Sequence, residues 1–444
     1  MNPAKIQILG NYWDCQIYRG RLYLFTINGA VKTVNWNALI ESIQTEEYTN
    51  IAISYAFKNG RNLYHSELHE LFRDEEIKNL LQNKFDSLSH RELIITEQQL
   101  NEFLIGEQET PFEELHVDSE VFSNRIFVLS HNSLLSTSIH GRGKKYPVTR
   151  KIQKHYDLYG FSMRANRYAR LALSAGDDGL MEYNSATSTN LLLSDDRRML
   201  KVSNNHSSFA DYSFLSIYNS SLTGNSFMSY FTWDDKLTRA KPERIIKEEY
   251  GENQIFEGNN SDHSYLSWGA NEKIYRAVNG GLEVVRFNNY AKPGEAIFSN
   301  KKFIPLQSWK GKVLSAYIAY FGTVLHCEYA VVVMLSDGSY YNIAGQVTRV
   351  RIFPRSLNYE NHLHVIQDDK VEIYSFNNDY FVDQKEKDFG VAFRMPKTFG
   401  FVRGGYASRY ESDEDYYNID KDIIDSKKTD DKSTNLDDLP FRNS

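Results

Sequence analysis

Seven short turn signals divide this sequence, and each lies between two apolar segments rich in strand-forming residues. Asn-Gly, Asp-Gly and Gly-Gly pairs favour tight hairpins because the central residues of such turns need positive φ angles. The seven turns are Asn28-Gly29, His131-Asn132-Ser133, Asp178-Gly179, Thr223-Gly224-Asn225, Gly280-Gly281, Asp337-Gly338 and Asp368-Asp369. Strands are predicted after most of them, over 31–36, 180–183, 227–231, 282–287, 340–343 and 371–376.

Hairpins at a nearly even spacing in an all-β chain indicate a radial repeat, the β-propeller. After a long first interval, the turns follow one another at about 46, 46, 56, 57 and 32 residues, against about 40–45 for one propeller blade. We therefore predict an all-β propeller of about seven blades. The first blade is expected over residues 1–38 and the others over 118–405. Residues 6–9 are expected to pair with the C-terminal strands and close the ring.

The long first interval predicts a helical insertion over 39–117. Leu63, Leu68, Leu71 and Phe72 recur at helical spacing. Asp74 is positioned to cap a second helix, and Thr96 with Gln99 matches a capping box. At the other end, residues 406–444 are acidic and poor in apolar side chains, so we expect a disordered acidic C-terminal tail.

Two hairpins resemble the WD40-type propeller repeat. Ser174-Ala175-Gly176-Asp177-Asp178-Gly179-Leu180-Met181-Glu182-Tyr183 is similar to its turn and last strand, and Leu335-Ser336-Asp337-Gly338-Ser339-Tyr340 is a weaker instance. The Gly-His and Trp-Asp signatures of true WD40 repeats are absent, since Trp233-Asp234 is a dipeptide without the rest of the repeat. The resemblance implies a WD40-like architecture, with protein binding as the commonest role, and it implies no site residue.

Composition restricts the function classes. The net charge is −7, which argues weakly against general nucleic-acid binding, and the aromatic content of 14% favours strands. Only Cys15 and Cys327 occur, so a disulfide-rich secreted scaffold is not expected. The first 20 residues lack the pattern of a signal peptide, and no long apolar run predicts a membrane span. We expect a cytoplasmic protein without a membrane partner.

Catalytic motifs are few. The sequence contains no phosphate-binding G-x-x-x-x-G-K-[ST], no G-x-G-x-x-G after a strand and no G-x-S-x-G. His65 and His69 share a helical spacing without a third metal ligand, and two surface histidines are the simpler interpretation. His326 and Cys327 are adjacent, and on a strand they would point to opposite faces. We therefore predict no catalytic, cofactor or metal residue and no cofactor.

Charge is segregated along the chain. Residues 64–120 hold fifteen Asp and Glu against four Lys and Arg, whereas residues 142–170 hold nine basic groups against Asp157 alone. Tyrosines are interleaved with these basic groups, a combination that suits an acidic protein or single-stranded nucleic acid. The predicted partner-binding residues are Arg142, Lys144, Lys145, Arg150, Lys151, Lys154, Arg164, Arg167 and Arg170.

Three function classes follow. The first is a non-catalytic scaffold or adaptor that binds a protein partner through the propeller face and the helical insertion. The second is a propeller hydrolase with a site in the central channel, where paired carboxylates would have to meet. The third is a nucleic-acid-binding module that uses the basic residues of 142–170.

Overall fold

The structure, a computed structural model, describes residues 2–43, 49–60, 74–112, 115–122, 124–139, 148–165, 170–185, 199–213, 216–221, 226–234, 243–256, 266–270, 273–278, 280–288, 296–306, 312–335, 338–356 and 358–377. The predicted tail over 406–444 lies outside these residues. The predicted first helix of the insertion, which includes His65 and His69, also lies outside them.

The described chain forms seven antiparallel sheets, the blades of a β-propeller. Alternating and continuous runs of Val, Ile, Tyr and Phe suit strands that are buried on one or both faces. Their bounds are β2 Tyr12–Tyr18, β3 Arg21–Thr26, β4 Ala30–Asn35 and β6 Leu104–Glu109 (blade 1); β7 Asp118–Phe122, β8 Arg125–Leu129, β9 Ser133–Ile139 and β10 Val148–Asp157 (blade 2); β11 Ser162–Ala165, β12 Arg170–Ser174, β13 Leu180–Asn184 and β14 Met199–Ser203 (blade 3); β15 Phe209–Ser213, β16 Ser216–Ser220, β17 Phe227–Asp234 and β18 Glu243–Gly251 (blade 4); β19 Leu266–Ala270, β20 Lys273–Val278, β21 Gly281–Phe287 and β22 Phe298–Pro305 (blade 5); β23 Val313–Ile318, β24 Gly322–Cys327, β25 Ala330–Leu335 and β26 Tyr340–Ala344 (blade 6); β27 Arg349–Ile352, β28 His362–Ile366, β29 Lys370–Ser375, β1 Ala4–Leu9 and β5 Leu93–Ile95 (blade 7).

The first strand of each blade is the innermost one, because these strands contact one another from blade to blade around the ring. The four strands are called A to D from the channel outward. Since they are antiparallel, the B–C turns and the connections from D to the next A lie on one face, called the upper face. The A–B turns and the C–D connections lie on the opposite, lower face.

The N-terminal strand closes the ring. β1 supplies the outer strand of blade 7 and pairs antiparallel with β29, with Ile6 opposite Ile373 and Ile8 opposite Val371. This confirms the pairing predicted for residues 6–9. Short β5 adds to the outer edge of β1 in parallel.

Five of the predicted turns that fall on described residues occupy the same place in their blades, between the B and C strands. Gly29, Gly179 and Gly280 have positive φ there, as such turns require, whereas Thr223-Gly224-Asn225 falls in a segment outside the described residues. Asp337-Gly338 is the exception, because it lies between the C and D strands of blade 6. The B–C turn of that blade is at Glu328-Tyr329, where the sequence has no glycine. With this turn in place of Asp337-Gly338, the last B–C turns are more evenly spaced along the chain.

Helices occupy much of the first interval: α1 Trp36–Ser42, α2 Thr49–Phe57, α3 Glu75–Ser89 and α4 Glu97–Glu102, with α5 Glu252–Phe256 elsewhere. Asp74 accepts from the backbone N–H groups of Glu76 and Ile77, and Thr96 with Gln99 forms a capping box, so both predicted caps are confirmed. Strands β5 and β6 also lie in this interval. The boundaries 39–117 stay a prediction.

The helices pack on the seam between blades 1 and 7. Trp36 and Phe57 are buried in one apolar cluster with Ile6, Ile8 and residues of α3 and α4, and the Trp36 indole N–H donates to Phe57 O at 2.6 Å. Other clusters fill the gaps between neighbouring blades. The apolar core is therefore distributed around the ring. Among the described helices, none is long and apolar enough to cross a membrane.

Candidate functional site

The A strands carry charged side chains into the channel, and the most buried of these is Asp14 on β2. Arg351 on β27 donates from Nε to Asp14 Oδ1 and from Nη2 to Asp14 Oδ2, each at 2.7 Å. Ser119 Oγ and His116 Nε2 donate to Oδ2, both at 2.6 Å. One carboxylate therefore joins blades 1, 2 and 7 inside the channel.

Arg351 also reaches blade 2. Its Nη1 donates to Asp118 Oδ1 at 2.5 Å, and Asp118 Oδ2 accepts from the backbone N–H of Met163 at 2.8 Å. Arg349 lies 3.5 Å from Asp14 Oδ2 and stacks on the Trp13 ring. These contacts form a continuous ion-pair network along the channel wall, from blade 7 through blade 1 to blade 2.

The network holds its acidic groups ionised. Burial alone would raise the pKa of Asp14, but Arg351 and Arg349 hold it well below its ordinary value. The pKa of Asp118 is lowered against the same burial cost, mainly by Arg351 and Arg164. Burial lowers the pKa of His116, so this imidazole is neutral at pH 7. A buried carboxylate that accepts two hydrogen bonds from one arginine does not exchange protons easily. Asp14 and Asp118 are therefore suited to a structural role.

A cavity of about 60 Å³ lies below this network, toward the ends of β11, β23 and β27, which is the lower-face side of the channel. That volume holds roughly two water molecules. Its lining residues are Gln16, Ser119, Glu120, Arg164, Ala165, Asp211, Tyr317, Ile318, Arg351, Ile352, Pro354 and Arg355. Two of the charged ones pair directly, since Arg355 Nη2 donates to Glu120 Oε2 at 2.6 Å.

Arg164 is the least satisfied cation of this cavity. Its guanidinium stacks on Tyr317 at 4.1 Å and on Phe209 at 5.2 Å, and it is only 9% exposed. Nη1 donates weakly to Met163 O at 3.4 Å and lies 3.8 Å from Asp118 Oδ2. Buried Nε has no hydrogen-bond partner among the described residues. Two aromatic rings thus hold a guanidinium whose donors are not used up.

Asp211 on β15 faces the same cavity. Burial raises the pKa of Asp211 to about 7, although Arg164 and the N–H of Tyr212 oppose the shift. This carboxyl is therefore partly protonated at neutral pH. Its neighbours Asp14 and Asp118 remain ionised, because arginines are hydrogen-bonded to both of them.

The structure distributes the predicted basic residues over several environments. Arg150, Lys151 and Lys154 lie exposed on β10, the outer strand of blade 2, and Lys154 pairs with Asp157. Arg170 on β12 pairs with Glu182 at 3.0 Å, and Arg164 lies in the channel. Arg142, Lys144, Lys145 and Arg167 lie outside the described residues.

The adjacent pair His326 and Cys327 separates as expected for a strand. His326 Nε2 donates to Val347 O at 3.1 Å, while Cys327 packs in an apolar cluster between blades 5 and 6. Sequence reasoning missed a different pair. Cys15 Sγ lies 3.3 Å from His364 Nδ1, and His364 Nε2 lies 3.5 Å from His362 Nδ1.

This Cys–His–His chain ends on the helices. His362 Nε2 donates to Ala56 O at 2.9 Å, and Ser375 Oγ donates to the same carbonyl at 2.7 Å. Cys15 and His364 are fully buried, and burial raises the pKa of the thiol and lowers that of the imidazole. Both are neutral, so the chain connects blades 1 and 7 with α2 and offers no thiolate nucleophile. Only the ring closure brings these residues together, and no local sequence signal marks them.

Large apolar side chains are exposed on the upper face. Tyr159 and Phe161, on the connection from β10 to β11, are 57% and 46% exposed and stack edge to face at 5.4 Å. Further exposed apolar residues of this face, on several blades, are Leu9, Ile27, Leu115, Phe303, Leu314 and Tyr329. Contiguous apolar patches are typical of interaction surfaces, and on this face Tyr159 and Phe161 are in contact with each other. Among the described residues no group of three or more His, Cys, Asp or Glu side chains is arranged to hold a metal ion.

No protein-family model matches this sequence, and no curated protein matches it. Several solved structures are similar to it. The WD40 domain of Pan2 from Neurospora crassa has 9% identity and a TM-score of 0.42, covering 83% of this chain and 90% of that one. Human WBSCR16 has 10% identity and a TM-score of 0.40, covering 66% and 84%. A chain of the Mitotic Checkpoint Complex has 11% identity and a TM-score of 0.35, covering 59% and 74%. The assignment of this chain as a seven-bladed β-propeller rests on its own strand pairing.

Proposed function

We propose that this propeller is a non-catalytic scaffold that binds a protein partner through its upper face. The observation that carries the proposal is the exposure of Tyr159 and Phe161 beside each other on that face. Aromatic side chains give a large contact area at low entropic cost and are enriched where binding energy concentrates.

The channel chemistry supports binding over hydrolysis. A glycosidase needs one carboxyl that is free to donate a proton and a second that is free to attack or to activate water. Asp14 and Asp118 are instead both hydrogen-bonded to Arg351, and Glu120 is hydrogen-bonded to Arg355. Asp211 is then the one carboxyl of the described channel that no arginine binds directly, and it lacks the second free carboxyl that a hydrolase needs.

The exposed basic residues of β10 lie apart from the apolar patch. Arg150 and Lys151 are near the start of β10, at its lower-face end, whereas Tyr159 and Phe161 follow the end of that strand on the upper face. Arg150 and Lys151 form a separate cationic edge of blade 2, which would favour acidic groups on a partner that extends over that edge. The helical segment, the second element of the scaffold hypothesis, presents exposed Leu80 on α3.

The test is a comparative capture experiment in a lysate of the native host. The immobilised chains are the wild type, the double variant Tyr159→Ser/Phe161→Ser, and Leu80→Ser as a control. Leu80 is 60% exposed, so the control removes an equally accessible apolar side chain from α3. A protein captured by the wild type and the control, then confirmed by direct binding of the purified partner, is expected to bind the double variant at least tenfold more weakly.

If the purified partner binds the wild type and the double variant with equal affinity, the upper face is not the binding surface. A loss of binding in Leu80→Ser but not in the double variant would move the interface to the helical segment.

A further inference from the structure

We propose that the cavity beside Arg164 is a binding subsite for one carboxylate side chain of an acidic peptide segment. The site lies on the lower-face side of the channel, away from Tyr159 and Phe161, so it does not depend on the partner proposed for the upper face.

The first support is the state of Arg164. Its guanidinium is nine-tenths buried, held between Tyr317 and Phe209, and its Nε has no hydrogen-bond partner among the described residues. A buried donor without a partner is costly, and an acceptor supplied by a ligand would remove that cost. The planar guanidinium edge formed by Nε and Nη2 matches the two oxygens of a carboxylate.

The second support is the charge balance around the cavity. Four arginines face three carboxylates here. Arg349 and Arg351 share Asp14. Arg351 also pairs with Asp118, and Arg355 pairs with Glu120. Arg164 lies 3.8 Å from Asp118 Oδ2. When Asp211 is protonated, the group carries one positive charge in excess, which one bound carboxylate would neutralise, whereas a dianionic phosphate would bring too much negative charge against Glu120 and Asp211.

Asp211 adds a hydrogen-bonding side chain to the cavity. It faces the cavity together with Arg164, Glu120, Tyr317, Arg351 and Arg355. In its protonated form Asp211 is a hydrogen-bond donor, and a neutral acid beside a bound carboxylate avoids like-charge repulsion. The cavity, at about 60 Å³, has room for a carboxyl group.

Two sources of such a carboxylate are possible: the acidic residues 411–438 of the chain itself, or an acidic segment of another protein. The chain leaves the last described blade at Asn377, just after β29 ends on the lower face. That position puts the end of blade 7 on the same face as the cavity, so residues 411–438 follow a blade end that lies on this face.

The probe is a fluorescent synthetic peptide with the sequence of residues 411–438, compared with a control peptide in which every Asp and Glu is Asn or Gln. Binding is measured by fluorescence anisotropy on the full chain and on a full-length variant whose own acidic residues over 411–438 are replaced by the same amides. The acidic peptide is expected to bind, and the control peptide at least tenfold more weakly.

Arg164→Gln should weaken binding of the acidic peptide at least tenfold, and Arg164→Lys several-fold because lysine keeps the charge and loses the planar edge. Arg286→Gln, at an exposed position of β21, is the matched control and should stay within twofold. If urea unfolding shows that Arg164→Gln does not fold, Arg164→Lys carries the test.

The amide-substituted chain identifies the occupant. If it binds the peptide more tightly than the wild type does, residues 411–438 of the same chain occupy the site. Equal binding would identify a site open to a partner.

The proposal is overturned if neither chain binds the acidic peptide. It is also overturned if the Arg164 variants bind the peptide as tightly as the wild type and Arg286→Gln do.

Discussion

Arg351 and Asp14, 337 residues apart in the sequence, form a two-point hydrogen-bonded pair inside the channel. The pair connects the first blade to the last one at the place where the ring closes. Because both partners are buried, removal of one leaves the other as an uncompensated charge.

We predict that Arg351→Gln lowers the free energy of unfolding by about 3–5 kcal/mol, since Asp14 and Asp118 lose their shared cation. The double variant Asp14→Asn/Arg351→Gln should cost less than the two single changes added together. Urea unfolding of the four proteins measures this. Arg355→Gln, whose partner Glu120 is less buried, is the control and should cost less than half as much; strictly additive effects at Asp14 and Arg351 would show that the pair is not coupled.

The channel also makes stability depend on pH through Asp211. Burial raises the pKa of Asp211 from 3.8 to about 7, so between pH 4 and 7 the folded state holds a proton that the unfolded state has lost. The stabilisation from that proton is complete near pH 4 and is lost as the pH rises through 7. Asp211→Asn removes this dependence. The variant should therefore gain about 2 kcal/mol relative to the wild type at pH 8, compared with pH 5. Parallel stability curves for the two proteins from pH 4 to 8 would contradict the assignment.

The B–C turns offer a matched pair of glycines. Gly179 and Gly280 both have positive φ, so alanine pays about 1 kcal/mol in each turn for the left-handed conformation. A Cβ at Gly179 would lie 2.2 Å from Ser203 O, whereas a Cβ at Gly280 would meet no atom within 4 Å. We expect Gly179→Ala to cost at least about 2 kcal/mol more than Gly280→Ala in thermal or urea unfolding. Equal costs would mean that the clash at Ser203 is relieved by a backbone shift.

The seam between blades 1 and 7 makes the helices part of the core. Trp36→Ala should lower the free energy of unfolding by about 3–5 kcal/mol, because it empties a fully buried site and removes the bond to Phe57 O. Leu80→Ala, on the exposed side of α3, should stay within about 0.5 kcal/mol. From the same contacts we expect excision of residues 39–117 to unfold the ring. A soluble excised chain that keeps its β circular-dichroism signal would show instead that the segment is independent.

The acidic residues after the last blade give a prediction about polyanions. Exposed ion pairs are weak and screened by salt, so any masking of Arg150 and Lys151 by residues 411–438 would be diffuse. Truncation after residue 409 should increase binding to heparin at low salt, and Arg150→Glu/Lys151→Glu should abolish the increase. Equal heparin retention of the truncated and full-length chains would show that the tail does not cover these residues.

The hairpin turns could be predicted from the sequence because their signals are local. A tight turn involves only two or three neighbouring residues, and it needs the positive φ that Gly29, Gly179 and Gly280 adopt. The sequence alone therefore predicted the turns, the strands that follow them and the repeat. The same holds for the caps at Asp74 and Thr96, whose hydrogen bonds reach only three residues along the chain. The sequence did not tell that Asp337-Gly338 lies between the C and D strands, because a glycine turn looks alike wherever it occurs in a blade.

The channel site was decided by tertiary structure. Asp14, Arg164 and Arg351 lie on A strands of three different blades, and no local spacing relates them. The contiguous basic segment that the sequence singled out is divided by the fold, since β10 is an outer strand and β11 an inner one. Radial closure determines which distant charges meet in the channel. Burial there raises the pKa of Asp211 to about 7, whereas at Asp14 the neighbouring Arg351 and Arg349 outweigh burial and hold the pKa below its ordinary value.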